Sequence, residues 1–208
     1  MVPAEFVAQD HAYRMLKMRL RQDAETWGDP INIVELSNAL DLSRTPVREA
    51  LFRLMGEGII EPGHHGGCRL FRPTADRLRD LYSWALHINL SAIQLAPDDG
   101  LRWRLEGLRR RYQDEPNPTG VQWAPSVFKA LGDGTGSPEM AAQIENANDR
   151  LVAVRLGELR AIANLKDEER RLVLVDGPQI KLRMRKKIRA YFLRRMDLSG
   201  RIVSDNDG

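Results

Sequence analysis

The sequence predicts a mainly α fold in two parts: a three-helix unit closed by a small β-ribbon over residues 1–73, and an all-α antiparallel helical bundle over residues 74–200. Three observations predict it. Apolar residues recur at steps of three and four along most of the 208 residues, the spacing of amphipathic helices. Two short β-prone runs, Ile59-Ile60-Glu61 and Cys68-Arg69-Leu70-Phe71-Arg72, flank a glycine-rich link. From Thr74 onward, helical patterns alternate with brief proline- and glycine-rich breaks.

The first helix is expected over residues 4–21, with Phe6, Tyr13, Leu16 and Leu20 on one face and Arg14, Lys17, Arg19 and Arg21 along the other side. After the turn-like Gly28-Asp29-Pro30, a short helix is expected near 33–40, then a tight turn at Asp41-Leu42. The stretch SRTPVREAL, residues 43–51, opens the third helix. Ser43 or Thr45 can accept hydrogen bonds from the first free backbone N–H groups, and Pro46 is tolerated in the first turn. Val47, Ala50, Leu51 and Leu54 then mark its apolar face, and Gly56 or Gly58 can end it. The β-prone runs form a hairpin across Pro62-Gly63-His64-His65-Gly66-Gly67. Helix, short helix, turn, helix and ribbon together make a winged helix-turn-helix.

Arg44 and Arg48 stand one turn apart at the start of the third helix, where cations oppose the helix dipole. A compensating anion is therefore expected. The phosphate backbone and the acceptor edge of guanine match a guanidinium fork, and Ser43 and Thr45 can supply hydroxyls to phosphates. The alternative is that both arginines merely solvate a helix end or pair with Glu35 or Glu49. Bulk charge does not decide this. The chain carries a formal +3, yet residues 1–73 hold 9 Lys and Arg against 10 Asp and Glu.

The run LSRTPVREALFRLMGEGII, with its glycine-rich wing, resembles the GntR family of bacterial winged-helix regulators over about residues 8–73, and the following helical domain resembles the FadR-type subgroup. The resemblance implies that Arg44 and Arg48 read or clamp double-stranded operator DNA while Ser43 and Thr45 touch phosphates. It also implies that His64, His65 and Gly66, at the wing tip, enter the adjacent minor groove. Where the family often has an arginine at the start of its second helix, this chain has Val34.

In the bundle, Leu78, Leu81, Ala85, Ile88, Ala92 and Leu95 form the first stripe, with Thr74 as N-cap and Pro97 to Gly100 as the stop. Further stripes are Leu101, Leu105, Leu108 and Tyr112, then Gln122 to Leu131, then Met140 to Val154 after Ser137-Pro138-Glu139, and finally Ile180, Met184, Ile188 and Tyr191. About six helices are expected. The last carries eight Lys and Arg between Lys181 and Arg195 with no acid among them. A solvated outer face is the simpler reading, against a lining for an anionic metabolite or a contact with DNA phosphates. Residues 201–208 are expected to be a disordered tail.

The FadR-type resemblance implies an effector chamber, often with a divalent metal held by one aspartate and three histidines. The matching positions depart from it. Pro125 and Lys129 stand where an aspartate and a histidine would be expected, Ala85 and Asn89 where an arginine and a glutamate would be, and His87 is the sole histidine beyond residue 73. No metal and no cofactor are therefore expected; Lys129 is a candidate to face an organic-acid effector. His64-His65 beside Cys68 matches no zinc spacing either.

A single cysteine, Cys68, excludes an intramolecular disulfide, and no apolar run of eighteen residues suggests a membrane span. The early charges of the N-terminus do not suit a signal peptide, so a cytoplasmic location is expected. An enzyme is disfavoured: Cys68 lacks a base, and the carboxylates are scattered. The leading expectation is a transcriptional regulator, repressor or activator, acting as a homodimer on a palindromic operator, with a small-molecule effector. Alternatives are a winged-helix protein-interaction module on a scaffold bundle, and a constitutive DNA binder with a degenerate chamber.

Overall fold

The computed structural model describes residues 4–22, 28, 30–63, 67–115 and 123–204, with the side chains of residues 4–6, 21, 22 and 156 left aside. The chain divides into two compact units, Met1–Arg72 with Asp149–Leu156, and Pro73–Asn148 with Gly157–Gly208.

In the first unit, α1 (Ala4–Gln22), α2 (Ile33–Leu40) and α3 (Arg44–Gly56) precede β1 (Ile60–Pro62) and β2 (Cys68–Leu70). Tyr13 and Leu16 of α1 are buried with Val47, Ala50, Leu51 and Leu54 of α3, and Ile60 and Leu70 of the ribbon complete that core. The strands are antiparallel with Ile60 opposite Leu70, Glu61 opposite Arg69 and Pro62 opposite Cys68. Gly63 N donates to Gly67 O at 2.8 Å and closes the hairpin base. The segment before α2 adds a partial third strand that the sequence did not signal: Ile31 N donates to Cys68 O at 2.9 Å, and Pro30 bridges Arg69.

One sequence-based boundary needs correction here. Residues 149–156, expected in the bundle, belong to this first unit. The physical reason is electrostatic: Lys17 Nζ lies 2.8 Å from Asp149 Oδ2, and the Arg150 guanidinium stacks 5.8 Å from the Phe71 ring. Burial works to lower the Lys17 pKa, but hydrogen bonds to Asp149 and Tyr13 more than offset it, so the ammonium holds its proton beyond the ordinary lysine range.

The second unit is all helical: α4 (Ala75–Leu95), α5 (Asp98–Asp114), α6 (Trp123–Gly134), α7 (Pro138–Arg150), α8 (Val154–Ala161), α9 (Leu165–Val173), α10 (Ile180–Asp197) and α11 (Ser199–Ser204). The last residues of α7 and the first of α8 fall in the first unit. Thr74 caps α4, its Oγ1 accepting from Arg77 N at 3.3 Å. Leu78, Leu81, Tyr82, Ala85, Ile88 and Ala92 of α4 are buried, as are Ile180, Met184, Ile188, Tyr191 and Phe192 of α10, and these two long helices make the most extensive pairing in the unit. Phe128 of α6 stacks on Phe192 with ring centroids 5.1 Å apart.

The C-terminal expectation is also corrected. Residues through Ser204 are helical, and Ile202 is 0% exposed. Gly157 allows this, because a Cβ there would stand 2.7 Å from the Ile202 carbonyl oxygen. Residues 205–208 lie outside the described residues.

The core holds a charge network that the stripe pattern did not reveal. Arg195, 0% exposed, donates from Nε to Glu158 Oε2 at 2.8 Å, and from Nη1 to Glu168 Oε2 at 2.9 Å and to Tyr191 O at 3.0 Å. The Tyr82 hydroxyl donates to Glu158 Oε1 at 2.6 Å. So the basic final helix is not wholly a solvated face.

Candidate nucleic-acid interface

The geometry of α2, turn and α3 follows from short-range chemistry. Asn32 starts α2, its Oδ1 accepting from Val34 N at 3.0 Å and from Glu35 N at 3.4 Å. Asp41 ends it in the left-handed region (φ 51°), which aspartate tolerates better than most side chains. Leu42 N then donates to Ser37 O at 3.0 Å, pinning the turn. Helix α3 follows after the N-cap Ser43 and stops at Gly58, whose φ of +71° breaks the helical path.

Because Val47, Ala50, Leu51 and Leu54 face the core, Arg44, Arg48 and Phe52 fall at steps of four on the opposite, exposed side of α3. Ser43 and Thr45 are exposed beside them. Ser43 occupies the N-cap position without making a side-chain capping bond, and α3 has no acid in its first turn. Of the two hydroxyls expected as caps, Ser43 or Thr45, that of Ser43 makes no capping bond and stays accessible.

Arg44 and Arg48 pair with neither Glu35 nor Glu49, which removes the simple alternative for them; Glu35 instead accepts from Asn32 Nδ2 at 2.7 Å. The surrounding cations behave differently. Arg14 lies 2.9 Å from Asp10, and Arg69 3.0 Å from Glu61. Arg53 lies flat on the Tyr13 ring at 3.6 Å and within 3.5 Å of both Asp10 and Glu57. Tyr13 donates its hydroxyl to Glu57 at 2.8 Å and accepts from Lys17 at 2.8 Å. Arg19, Arg72, Arg150 and Arg155 are also engaged. Among the described side chains of this unit, Arg44 and Arg48 are the cations left without a partner.

Two apolar side chains are exposed here: Phe52, which sequence reading passed over, and Val34, noted there only for the arginine it replaces. Phe52 is 62% exposed and Val34 42%. The signal for Phe52 was present: position 52 falls off the stripe of Val47, Ala50, Leu51 and Leu54. His64, His65 and Gly66 lie outside the described residues. Cys68 is buried and free, and burial raises its thiol pKa, so it is a core side chain rather than a nucleophile.

A divalent metal of the FadR type does not fit the bundle. His87 is exposed and bonded to Ser83 O at 2.7 Å, Pro125 offers no side-chain donor atom, and Lys129 is a cation. Among the described residues no three His, Cys, Asp or Glu side chains are placed to hold a metal ion. Lys129 does not face an interior acid either: its side chain is 60% exposed and pairs with Asp133, one turn on, at 3.2 Å. No helix among the described residues is long and apolar enough to cross a membrane.

Comparisons with known proteins agree with this construction. The family described as bacterial regulatory proteins, gntR family, matches residues 8–70. A Nta operon transcriptional regulator of Aminobacter aminovorans is 42% identical over 69 residues, 33% of each chain. The HTH-type transcriptional regulator YdhC of Bacillus subtilis (strain 168) is 22% identical over 140 residues, 67% of this chain and 57% of that one. The chain therefore aligns with about a third and somewhat over half of these relatives' own lengths. Two solved structures share the fold. A GntR regulator from Rhodococcus sp. RHA1 superposes with a TM-score of 0.70 at 15% identity, covering 94% of this chain and 97% of its own. McbR/YncC of E. coli gives 0.65 at 19% identity, covering 100% of both. With α2, the turn and α3 where the motif requires them, residues 8–70 match the gntR family of bacterial regulatory proteins, and the fold of the whole chain is similar to that of the two solved regulators.

Proposed function

We propose that this chain is a DNA-binding transcriptional regulator of the FadR type, reading a short palindromic operator as a homodimer. One observation carries the reading: Arg44 and Arg48, exposed and unpartnered on the outer face of α3, stand where every other described cation of the unit is engaged. Two guanidinium groups one turn apart at the start of a recognition helix suit guanine O6 and N7 or two adjacent phosphates. Ser43 and Thr45 offer hydroxyls to phosphate oxygens, and Phe52, one turn beyond Arg48, offers an apolar surface to a thymine methyl. The wing residues His64, His65 and Gly66 would follow the backbone into the minor groove.

A homodimer is part of the proposal because one such helix reads only a few base pairs, and two half-sites multiply specificity. Trp84, Leu95 and Trp103, among the large apolar side chains exposed on the bundle, are candidates for the surface that a second copy would cover. Lys129, exposed and paired with Asp133 one turn on, lends no support to an organic-acid site in the bundle. The regulator would work in solution, in the cytoplasm where its operator is.

The test is binding of the full chain to duplex DNA from upstream of its own gene across a salt series. Neutralised phosphates release counterions, so affinity should fall steeply, by about 0.9 in log K per log salt for each contact. A flat salt response would point to a protein-docking surface instead.

A further inference from the structure

The basic helix α10 is divided between two uses. Lys181 pairs with Asp98 at 3.0 Å, Arg194 lies 3.6 Å from Glu168, and Arg195 is locked into the core. Arg183, Lys186 and Lys187 have no such partner among the described residues, nor do Arg170 and Arg171 on α9. These five converge on one concavity of about 680 Å³ between α9, α10 and the loop that joins them. That volume lies in the range of small-ligand sites, roughly 300–1,000 Å³. Leu174 and Val175 add apolar surface to its lining.

The loop turns at Gly177, whose positive φ favours glycine. Gly177 has a φ of +91°, and a Cβ there would stand 3.8 Å from the Arg183 guanidinium. Arg102 Nη1 donates to Gly177 O at 3.2 Å and anchors the turn from the α5 side. Of the two carboxylates at the edge, Asp176 pairs with Arg109 at 2.5 Å, which leaves Asp167 as the unpaired acid against five cations.

We infer that this groove is a binding site for a small polyanion bearing a chain of phosphate groups, such as tripolyphosphate or the phosphates of a nucleoside triphosphate. A single carboxylate would leave most of the five cations uncompensated, whereas a triphosphate brings about four negative charges and many acceptor oxygens. Arginine forks and lysine ammonium groups on opposing walls match that acceptor set. A concavity of this volume matches a compact ligand rather than the extended backbone of a duplex. The inference concerns binding by the second unit and is independent of DNA reading by α3.

Isothermal titration calorimetry of the full chain at fixed ionic strength tests it, with tripolyphosphate, ATP without divalent cations, and sulfate as probes and no DNA present. Tripolyphosphate should bind at least tenfold more tightly than sulfate. Arg183→Ser with Lys187→Ser should weaken it at least tenfold, and Arg170→Ser with Arg171→Ser, on the other wall, should do the same. Arg185→Ser with Arg189→Ser removes the same charge from α10 outside the groove and should change affinity less than twofold. Tighter binding of ATP than of tripolyphosphate would place a nucleoside on Leu174 and Val175; equal binding would assign recognition to the phosphate chain, and either result supports the site. Equal losses from the groove and off-groove pairs would overturn it, as would tripolyphosphate binding no better than sulfate. In a separate anisotropy titration on random duplex DNA, groove variants that lose DNA binding while keeping their tripolyphosphate affinity would overturn it in favour of a nucleic-acid surface. Because substitutions on two separate walls are compared, failure of one variant to fold leaves the other to decide.

Discussion

Arg195 and Glu158 form an ion pair at 2.8 Å with 0% and 1% of their side chains exposed, inside a helical unit whose other core residues are almost all apolar. Glu158 completes its hydrogen bonding with the Tyr82 hydroxyl, so removing Arg195 would leave a buried carboxylate with one neutral partner. Arg195→Met should therefore cost about 3–5 kcal/mol in urea denaturation. The double change Arg195→Met with Glu158→Gln should be less destabilised than the single one, because the uncompensated charge is gone. A single variant within about 1 kcal/mol of the parent would contradict this role.

The same network gives the protein an alkaline limit. Burial, and then the Glu158 charge, push the Tyr82 hydroxyl pKa well above its ordinary value of 10.0. The unfolded chain loses that proton near 10 while the folded chain keeps it. Stability from this group is therefore full below pH 10 and falls as pH rises, by about 1.4 kcal/mol per pH unit until the folded group titrates. Lys17, whose pKa is also raised in the folded state, acts in the same direction. Melting temperatures from about pH 8 to about pH 11.5 should decline more gently for Tyr82→Phe than for the parent. Parallel curves would exclude Tyr82 as the cause.

Asn32 positions the helix-turn-helix from its first residue. Its Oδ1 satisfies two backbone N–H groups of α2, so Asn32→Ala should cost about 1 kcal/mol of stability and Asn32→Asp much less. Denaturant midpoints at constant slope measure both. An alanine variant as stable as the parent would mean that water satisfies those donors equally well.

The helices of the first unit were legible because their signals are local. Pro46 in a first turn, the stripe from Val47 to Leu54 and Gly58 beyond it placed α3, and Arg44 and Arg48 fell on its exposed side as the spacing required. What escaped depends on contacts distant in sequence. Arg195 looked like one more cation of a solvated run, although it continues the buried stripe of Met184, Ile188 and Tyr191 by one turn. Its partners on α8 and α9 are what admit it to the core. Ile202 looked like part of a polar tail until Gly157 gave it a place to pack. Asp149 reads as an ordinary helix-end acid, and only Lys17, more than a hundred residues earlier, draws its segment into the first unit.

The most direct measurement compares the parent with Arg44→Ala and Arg48→Ala, singly and together, by fluorescence anisotropy on DNA from upstream of the gene and on random duplex. The parent should prefer its own sequence. The double variant should lose about 1–3 kcal/mol of that preference for each guanine contact removed, or about one unit of salt slope for each phosphate contact removed. Unchanged preference and unchanged salt slope in the double variant would contradict the assignment of Arg44 and Arg48 as the DNA-reading pair.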